Sequence, residues 1–383
     1  MLIKNAKLVT PAGVYNPGWL RCKGGVIIAL GSGAAPETHE GDIIDAGGDW
    51  LLPGFVDIHV HGGMGAEAMD ATPEALRAMS RFSAENGVTA FLPTTWTDSA
   101  ERIQAALANI AACTGPQPDG ATIAGAHMEG PYLNPSKCGA QSTLHIRAAA
   151  RDEVMPWLDM NVIRLISLAP EIPENRWLIT ECTRRGITVS AAHTAATYDE
   201  MLYAASLGVT HATHTYNAMT GLHHREPGTL GAVLTLPQVR CEIIADNIHV
   251  HPGAMKLAFA AKGAGGIVLV TDAIRGAGMP DGTYPVDDRE ITVKDGSARL
   301  ADGTLAGSIL TMNAALRNFM NATGAPLETI WPVTSLNPAQ AVGIASRKGS
   351  LEIGKDADLV LVDDSISVHL TMVEGRIVYQ STW

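Results

Sequence analysis

Histidines and carboxylates stand at the ends of apolar runs in this chain, and their types and spacing suit a divalent cation. His59 and His61 are two apart in a β-like run, so both imidazoles project to one face and can grip one ion. Glu129 closes another run directly before Gly130-Pro131, where the chain turns sharply and exposes the carboxylate. His193 and His214 end two further runs. Together Glu129, His193 and His214 form a nitrogen/oxygen set that leaves a position open, the pattern of a catalytic metal site. Zinc suits these donors first, and iron, manganese or cobalt are accepted by the same set. Asp272 ends the last run, where a carboxylate beside a cation-activated water can take its proton and return it to a leaving amine. His211 lies three before His214 in the same run, so it faces the other way and serves packing.

Each residue has a plainer reading taken alone. A single His-X-His is as often a hydrogen-bonded loop pair, and Glu129 or Asp272 would serve as a helix-terminal carboxylate. Those readings weaken because the polar groups share one kind of place. They cluster at the exits of buried runs, where packing calls for no polarity.

The elements that must position them follow from the runs themselves. Residues 55–59, 88–92, 122–127, 162–167, 187–192, 209–213, 240–245 and 266–271 are short and apolar, several rich in β-branched residues. Amphipathic stretches such as 73–86 and 99–112 lie between several of them, with apolar residues at three- and four-residue steps. Eight strands, mostly followed by helices, over roughly 220 residues predict an α/β fold, a (β/α)8 TIM barrel with its reactive groups at the C-terminal strand ends. Thr94, Thr95, Glu171 and His249 stand at such ends too. The two termini carry short alternating segments broken by glycine. They predict a small discontinuous β-sandwich domain from residues 1–52 plus 345–383, flanking a barrel over 53–344.

Composition narrows the partners. The 383 residues are 46% hydrophobic and 17% charged, which fits a well-packed globular chain. A formal charge of −12 argues against nucleic acid and requires a local positive cluster for any anionic substrate. The five cysteines are scattered, as reduced thiols are. The first residues lack a signal-peptide layout, and no uncharged apolar run nears the roughly 18–20 residues of a membrane helix. A cytoplasmic protein with no membrane partner is expected.

Residues 127–134 (HMEGPYLN), 213–219 (THTYNAM), 225–228 (REPG), 243–250 (IIADNIHV), 270–273 (VTDA) and 305–308 (LAGS) carry a closer likeness. In that order they resemble the N-acetylglucosamine-6-phosphate deacetylases of the amidohydrolase superfamily, with the N-acetylgalactosamine-6-phosphate deacetylases similar in kind. The likeness runs from Leu52 to residues 355–360 (KDADLV). It implies Glu129, His193 and His214 as ligands of the main metal and Asp272 as acid and base. It implies Asn217, Ala218, Arg225 and His249 as contacts to the sugar phosphate. Ala140 and Gln141 fall on the substrate-touching loop, and Leu305, Ala306 and Gly307 at the acetyl end. A homodimer is implied as well, with Arg225 reaching the neighbouring subunit's site. Locally, His223, His224 and Arg225 in a loop bounded by glycine and proline suit a phosphate.

Two positions depart from parts of the family. Gln141 stands where some members carry a histidine that polarises the acetyl carbonyl, and an amide donates a hydrogen bond without charge. The His59/His61 pair belongs to members with two metals and is replaced in those with one. The implied reaction is hydrolysis of N-acetyl-D-glucosamine 6-phosphate to D-glucosamine 6-phosphate and acetate. The galactosamine epimer is the near alternative. A cyclic-amide hydrolase and an inactive barrel scaffold are more distant ones. Such hydrolases commonly carry a carbamylated lysine where Glu129 stands, and a scaffold usually loses its ligands.

Overall fold

The structure is a computed structural model and describes residues 1–37, 41–287 and 289–382. Eight parallel strands follow one another around a barrel: Phe55–Val60, Val88–Thr95, Ala126–Glu129, Ile163–Leu168, Thr188–Ala191, Val209–Ala212, Arg240–Ile243 and Ile267–Leu269. The third is interrupted, with Thr122–Ile123 pairing to the second strand before the chain resumes at Ala126. Val60 bridges in parallel to Ala273, and the Asp272 amide donates to the His59 carbonyl at 2.8 Å, which closes the ring. Every residue of Phe55–Val60 and Val88–Thr95 is buried, as strands covered on both faces require. The expected (β/α)8 barrel is therefore present.

The helices begin where local chemistry starts them. The expected segments 73–86 and 99–112 are Pro73–Glu85 and Ala100–Cys113. The Thr72 and Ser99 side chains accept from the amides of Ala75 and Arg102 and so satisfy donors that have no partner within the first turn.

Strands from both ends of the chain share a second, eight-stranded sheet. Leu2–Thr10, Gly13–Lys23, Val26–Ser32, Ile43–Asp45 and Trp50–Pro53 join Leu359–Val362, Val368–Val373 and Arg376–Gln380. The junction is the antiparallel pair of Trp50–Pro53 with Leu359–Val362. Ile27 donates to the Lys355 carbonyl at 2.9 Å and Ala357 to that of Gly25 at 2.8 Å, so the sheet curls back on itself. It encloses a small core of its own, including Leu8, Leu20, Ile27, Leu51 and Leu361, separate from the barrel core.

A three-stranded antiparallel sheet, Gly282–Val286, Arg289–Lys294 and Ser297–Arg299, follows the eighth barrel strand and was not among the expected elements. Its apolar alternation is brief. Ile291 and Val293 point inward while Glu290, Thr292 and Lys294 are exposed, so charge dilutes the pattern. Among the described residues, no helix is long and apolar enough to cross a membrane.

Gly87 sets the turn between the first helix and the second strand. Its φ is +83°, and a Cβ there would lie 2.8 Å from the Phe55 ring. Gly87→Ala therefore combines a left-handed backbone with a core clash, and a loss of about 2 kcal/mol or more is expected. A lowered urea midpoint at unchanged slope checks it.

Candidate active site

The strand ends bring the expected residues together around one carboxylate. Glu129 is buried at the exit of Ala126–Glu129. Its Oε1 lies 3.1 Å from His214 Nε2 and 3.4 Å from His193 Nε2. Its Oε2 lies 3.2 Å from His61 Nε2 and 3.7 Å from His59 Nε2. Asp272 Oδ1 sits 3.4 Å and 3.3 Å from the Nε2 atoms of His59 and His61. His193, His214 and Asp272 have φ of 45°, 32° and 49°. Left-handed backbone at a residue other than glycine costs on the order of 1–3 kcal/mol, and here it turns each side chain inward at the strand exit.

These donors fit a divalent cation. A tetrahedral zinc with bonds of about 2.0–2.1 Å spaces its ligands by about 3.3 Å. Glu129 Oε1, His193 Nε2 and His214 Nε2 are mutually 3.1–3.4 Å apart. His193 Nδ1 lies 2.7 Å from the Lys137 carbonyl, so that nitrogen carries the proton and Nε2 offers its lone pair to the site. His59, His61 and the other Glu129 oxygen make a second converging set. Glu129 thus belongs to both sets.

Electrostatics keep the acids charged. Burial pushes the Glu129 carboxyl up, but the His59 charge and the hydrogen bonds of His193 and His214 outweigh it, leaving it well below the ordinary glutamate value. Burial also raises Asp272, and the charge of His59 with the charge and hydrogen bond of His61 more than reverses this. For His61 burial favours the neutral form. Hydrogen bonds and charge from Asp272 and Glu129 prevail and hold it up, at about 10.

A cavity of about 320 Å³ opens above this cluster. Ala140, Gln141, Asn217, Ala218, His249, Leu305 and Gly307 line it, as do His61, Glu129, His193, His214 and Asp272. His249 is fixed by Asp246, whose Oδ2 lies 2.6 Å from its Nδ1. Ala306 is buried beside the cavity wall, its amide bonded to the Ala298 carbonyl at 3.0 Å. Arg225 is exposed and lines a separate depression with Tyr198 and Glu226. Gln141 Nε2 donates to Glu129 Oε2 at 2.6 Å while its Oε1 accepts from the Thr97 amide at 2.8 Å. The amide expected at the acetyl carbonyl is thus engaged in orienting Glu129.

Trp96, His127 and Arg299 join the site without having been singled out in the sequence. Trp96 stacks on His61, with ring centroids 4.1 Å apart. His127 sits edge-on to His59 at 4.6 Å. It stands two before Glu129, the same spacing as His59 and His61, which is the signal that could have marked it. From His127 a buried hydrogen-bond chain runs through Ser167 Oγ (2.7 Å), Thr213 Oγ1 (2.7 Å) and Ser190 Oγ (2.6 Å) to Glu242 Oε1 (3.1 Å).

Histidines and a shared carboxylate that could hold a metal, beside the Asp272 carboxylate at the C-terminal mouth of a (β/α)8 barrel, are the arrangement of a metal-dependent hydrolase. The chain belongs to the amidohydrolase family, whose sequence pattern matches residues 50–378, and within it to the N-acetylglucosamine-6-phosphate deacetylase group. It is 39% identical over 386 residues to the N-acetylglucosamine-6-phosphate deacetylase of Bacillus subtilis (strain 168), covering 100% of this chain and 98% of that one. It is 36% identical over 380 residues to the N-acetylgalactosamine-6-phosphate deacetylase of Escherichia coli O157:H7, covering 98% of each. A solved variant of the Mycobacterium smegmatis N-acetyl-D-glucosamine-6-phosphate deacetylase, in complex with N-acetyl-D-glucosamine-6-phosphate, superposes with a TM-score of 0.93. That pair is 31% identical and covers 99% of each chain.

Glu242 offers a pH test. Burial raises its carboxyl from 4.5 to about 7. Its neutral form is therefore favoured in the folded state, and the resulting stability is complete below pH 4.5 and lost as pH rises through about 7. Glu242→Gln should melt higher than wild type at pH 8, by up to roughly 3 kcal/mol in stability, with the gain vanishing near pH 5. Thermal melts at the two pH values decide it.

Proposed function

We propose that the protein hydrolyses the acetamide of N-acetyl-D-glucosamine 6-phosphate to D-glucosamine 6-phosphate and acetate. The observation that carries this reading is the convergence of Glu129, His193, His214 and Asp272 on the floor of the cavity that also exposes Asn217, Ala218 and His249. The full-length likeness to deacetylases of this name supports it.

Glu129, His193 and His214 are the residues to hold the main cation, zinc first and iron, manganese or cobalt by the same donors. Once bound, the ion supplies Lewis acidity to the acetyl carbonyl and to the attacking water. His59, His61 and Glu129 Oε2 offer a second place, so the chain accommodates one ion or two. Asp272 is held ionised by its histidine neighbours and accepts the water's proton, then hands it to the departing amine. Gln141 keeps Glu129 facing its partners. Asn217, the Ala218 backbone and His249 hold the phosphate, while Leu305, Ala306 and Gly307 frame the acetyl group.

Arg225 completes phosphate binding from a neighbouring subunit in a homodimer, a role supported by its exposure outside its own chain's cavity. Residues 1–52 with 345–383 form one unit and 53–344 the other, a division supported by the two separate cores. Free cysteines accord with a cytoplasmic setting. The Escherichia coli relative makes the galactosamine epimer the second reading. Turnover on the two phosphosugars separates them.

Asp272→Asn is expected to retain its metal while kcat falls by about 10²–10⁴. Near-normal acetate release from a metal-loaded variant would overturn the assignment. Metal analysis of His61→Ala tests the second place. If two ions are held, the variant keeps one per chain; if wild type already holds one, the second place is rejected.

A further inference from the structure

Residues 94–97, at the exit of Val88–Thr95, reach two of the three donors of the second cation place. His61 Nδ1 donates to the Thr94 carbonyl at 3.2 Å, so its Nε2 keeps a lone pair for the site. Thr94 Oγ1 accepts from the Val60 amide at 2.9 Å, midway between the two histidines. The Thr97 amide holds Gln141, whose Nε2 donates to Glu129 Oε2, the oxygen that faces His61. The main set is anchored elsewhere, through the Lys137 carbonyl on His193 Nδ1.

Between Thr94 and Thr97, the Trp96 indole lies flat on His61. The ring centroids are 4.1 Å apart and the planes differ by 18°. The tryptophan is buried, and among the described residues its Nε1 has no hydrogen-bond partner. An unpaired buried donor costs free energy that a phenyl ring at this place would avoid. What the indole adds is a wide, electron-rich face. An imidazole that gives its lone pair to a cation becomes electron-poor, and such a face favours that state. Stacking also removes rotation about the imidazole's bond to the chain, so Nε2 stays aimed at Glu129 Oε2, 3.2 Å away.

We infer that Trp96 is a positioning residue for the second cation place, acting through His61 and leaving the main place to its own anchors. This rests on the second place described under the proposed function.

The test titrates metal-free wild type, Trp96→Ala and Trp96→Phe with Zn²⁺ alone, against a competing chelator, while indole emission is followed. The chain has seven tryptophans, so the signal of Trp96 is the difference between wild type and Trp96→Phe. Wild type should take up two ions per chain, and the Trp96 signal should change with the second and not the first. In Trp96→Ala the second ion should bind roughly tenfold more weakly while the first stays within about twofold. Trp96→Phe should fall between, because a phenyl face stacks less strongly than an indole. An unchanged second affinity in Trp96→Ala would overturn the inference. So would equal weakening of both ions, which marks a merely structural role. Should Trp96→Ala fail to fold, Trp96→Phe decides by the same two outcomes. A wild type that binds a single ion and releases acetate from the phosphosugar rejects this inference alone; one that binds two ions and releases none rejects the proposed deacetylation alone.

Discussion

The Glu129 carboxylate governs the geometry of the site. An isolated buried carboxylate would be protonated or expelled, because desolvation penalises its charge heavily. Here four imidazoles approach it, two on each oxygen, and the charged form prevails. The same contacts fix the imidazoles. Each Nε2 is drawn to a common point, so the donors are arranged before any cation arrives. Gln141 completes the arrangement by tying one Glu129 oxygen to the Thr97 backbone.

Barrel closure and catalytic geometry share one hydrogen bond. The Asp272 amide donates to the His59 carbonyl, so the seam between the first and eighth strands also sets the Asp272 carboxylate beside the histidine pair. Left-handed backbone at His193, His214 and Asp272 is tolerated because the flanking strands are buried and hydrogen-bonded on both sides. A looser barrel would relax those residues and scatter the donors. Stability of the barrel is in this sense spent on aim.

Much of this was legible in the amino-acid sequence. Buried parallel strands need continuous apolar runs, and all eight stood out as such, so the polar residues at their exits identified the C-terminal mouth. Glu129, His193, His214, His59, His61 and Asp272 were legible for the same reason. Other features were not. The hairpin bearing Arg299 is half exposed and charged, and Arg299 itself looks like any surface arginine until Leu305 is seen across from it. Trp96 follows a buried strand and reads as core; its stacking on His61 depends on two strands meeting in space. The engagement of Gln141 with Glu129, 12 residues away, is likewise a product of folding.

Two glutamates in the same barrel show why residue type alone does not define a metal site. Glu129 and Glu242 are both fully buried on barrel strands. Glu129 hydrogen-bonds imidazole nitrogens and is driven toward the charged form, whereas Glu242 feels His59 and His214 only through their charge and hydrogen-bonds the Ser190 hydroxyl, and burial pushes it up to about 7. One hydroxyl hydrogen bond added to those charges is too little to offset desolvation. Glu242 therefore ends a chain of neutral donors and acceptors reaching His127, whose own imidazole is kept well below its ordinary value chiefly by burial. His127, held toward its neutral form, lends no positive charge to the histidines above it. A cation entering the cluster thus meets two carboxylates held in the charged form, Glu129 and Asp272, whose charge it can take up.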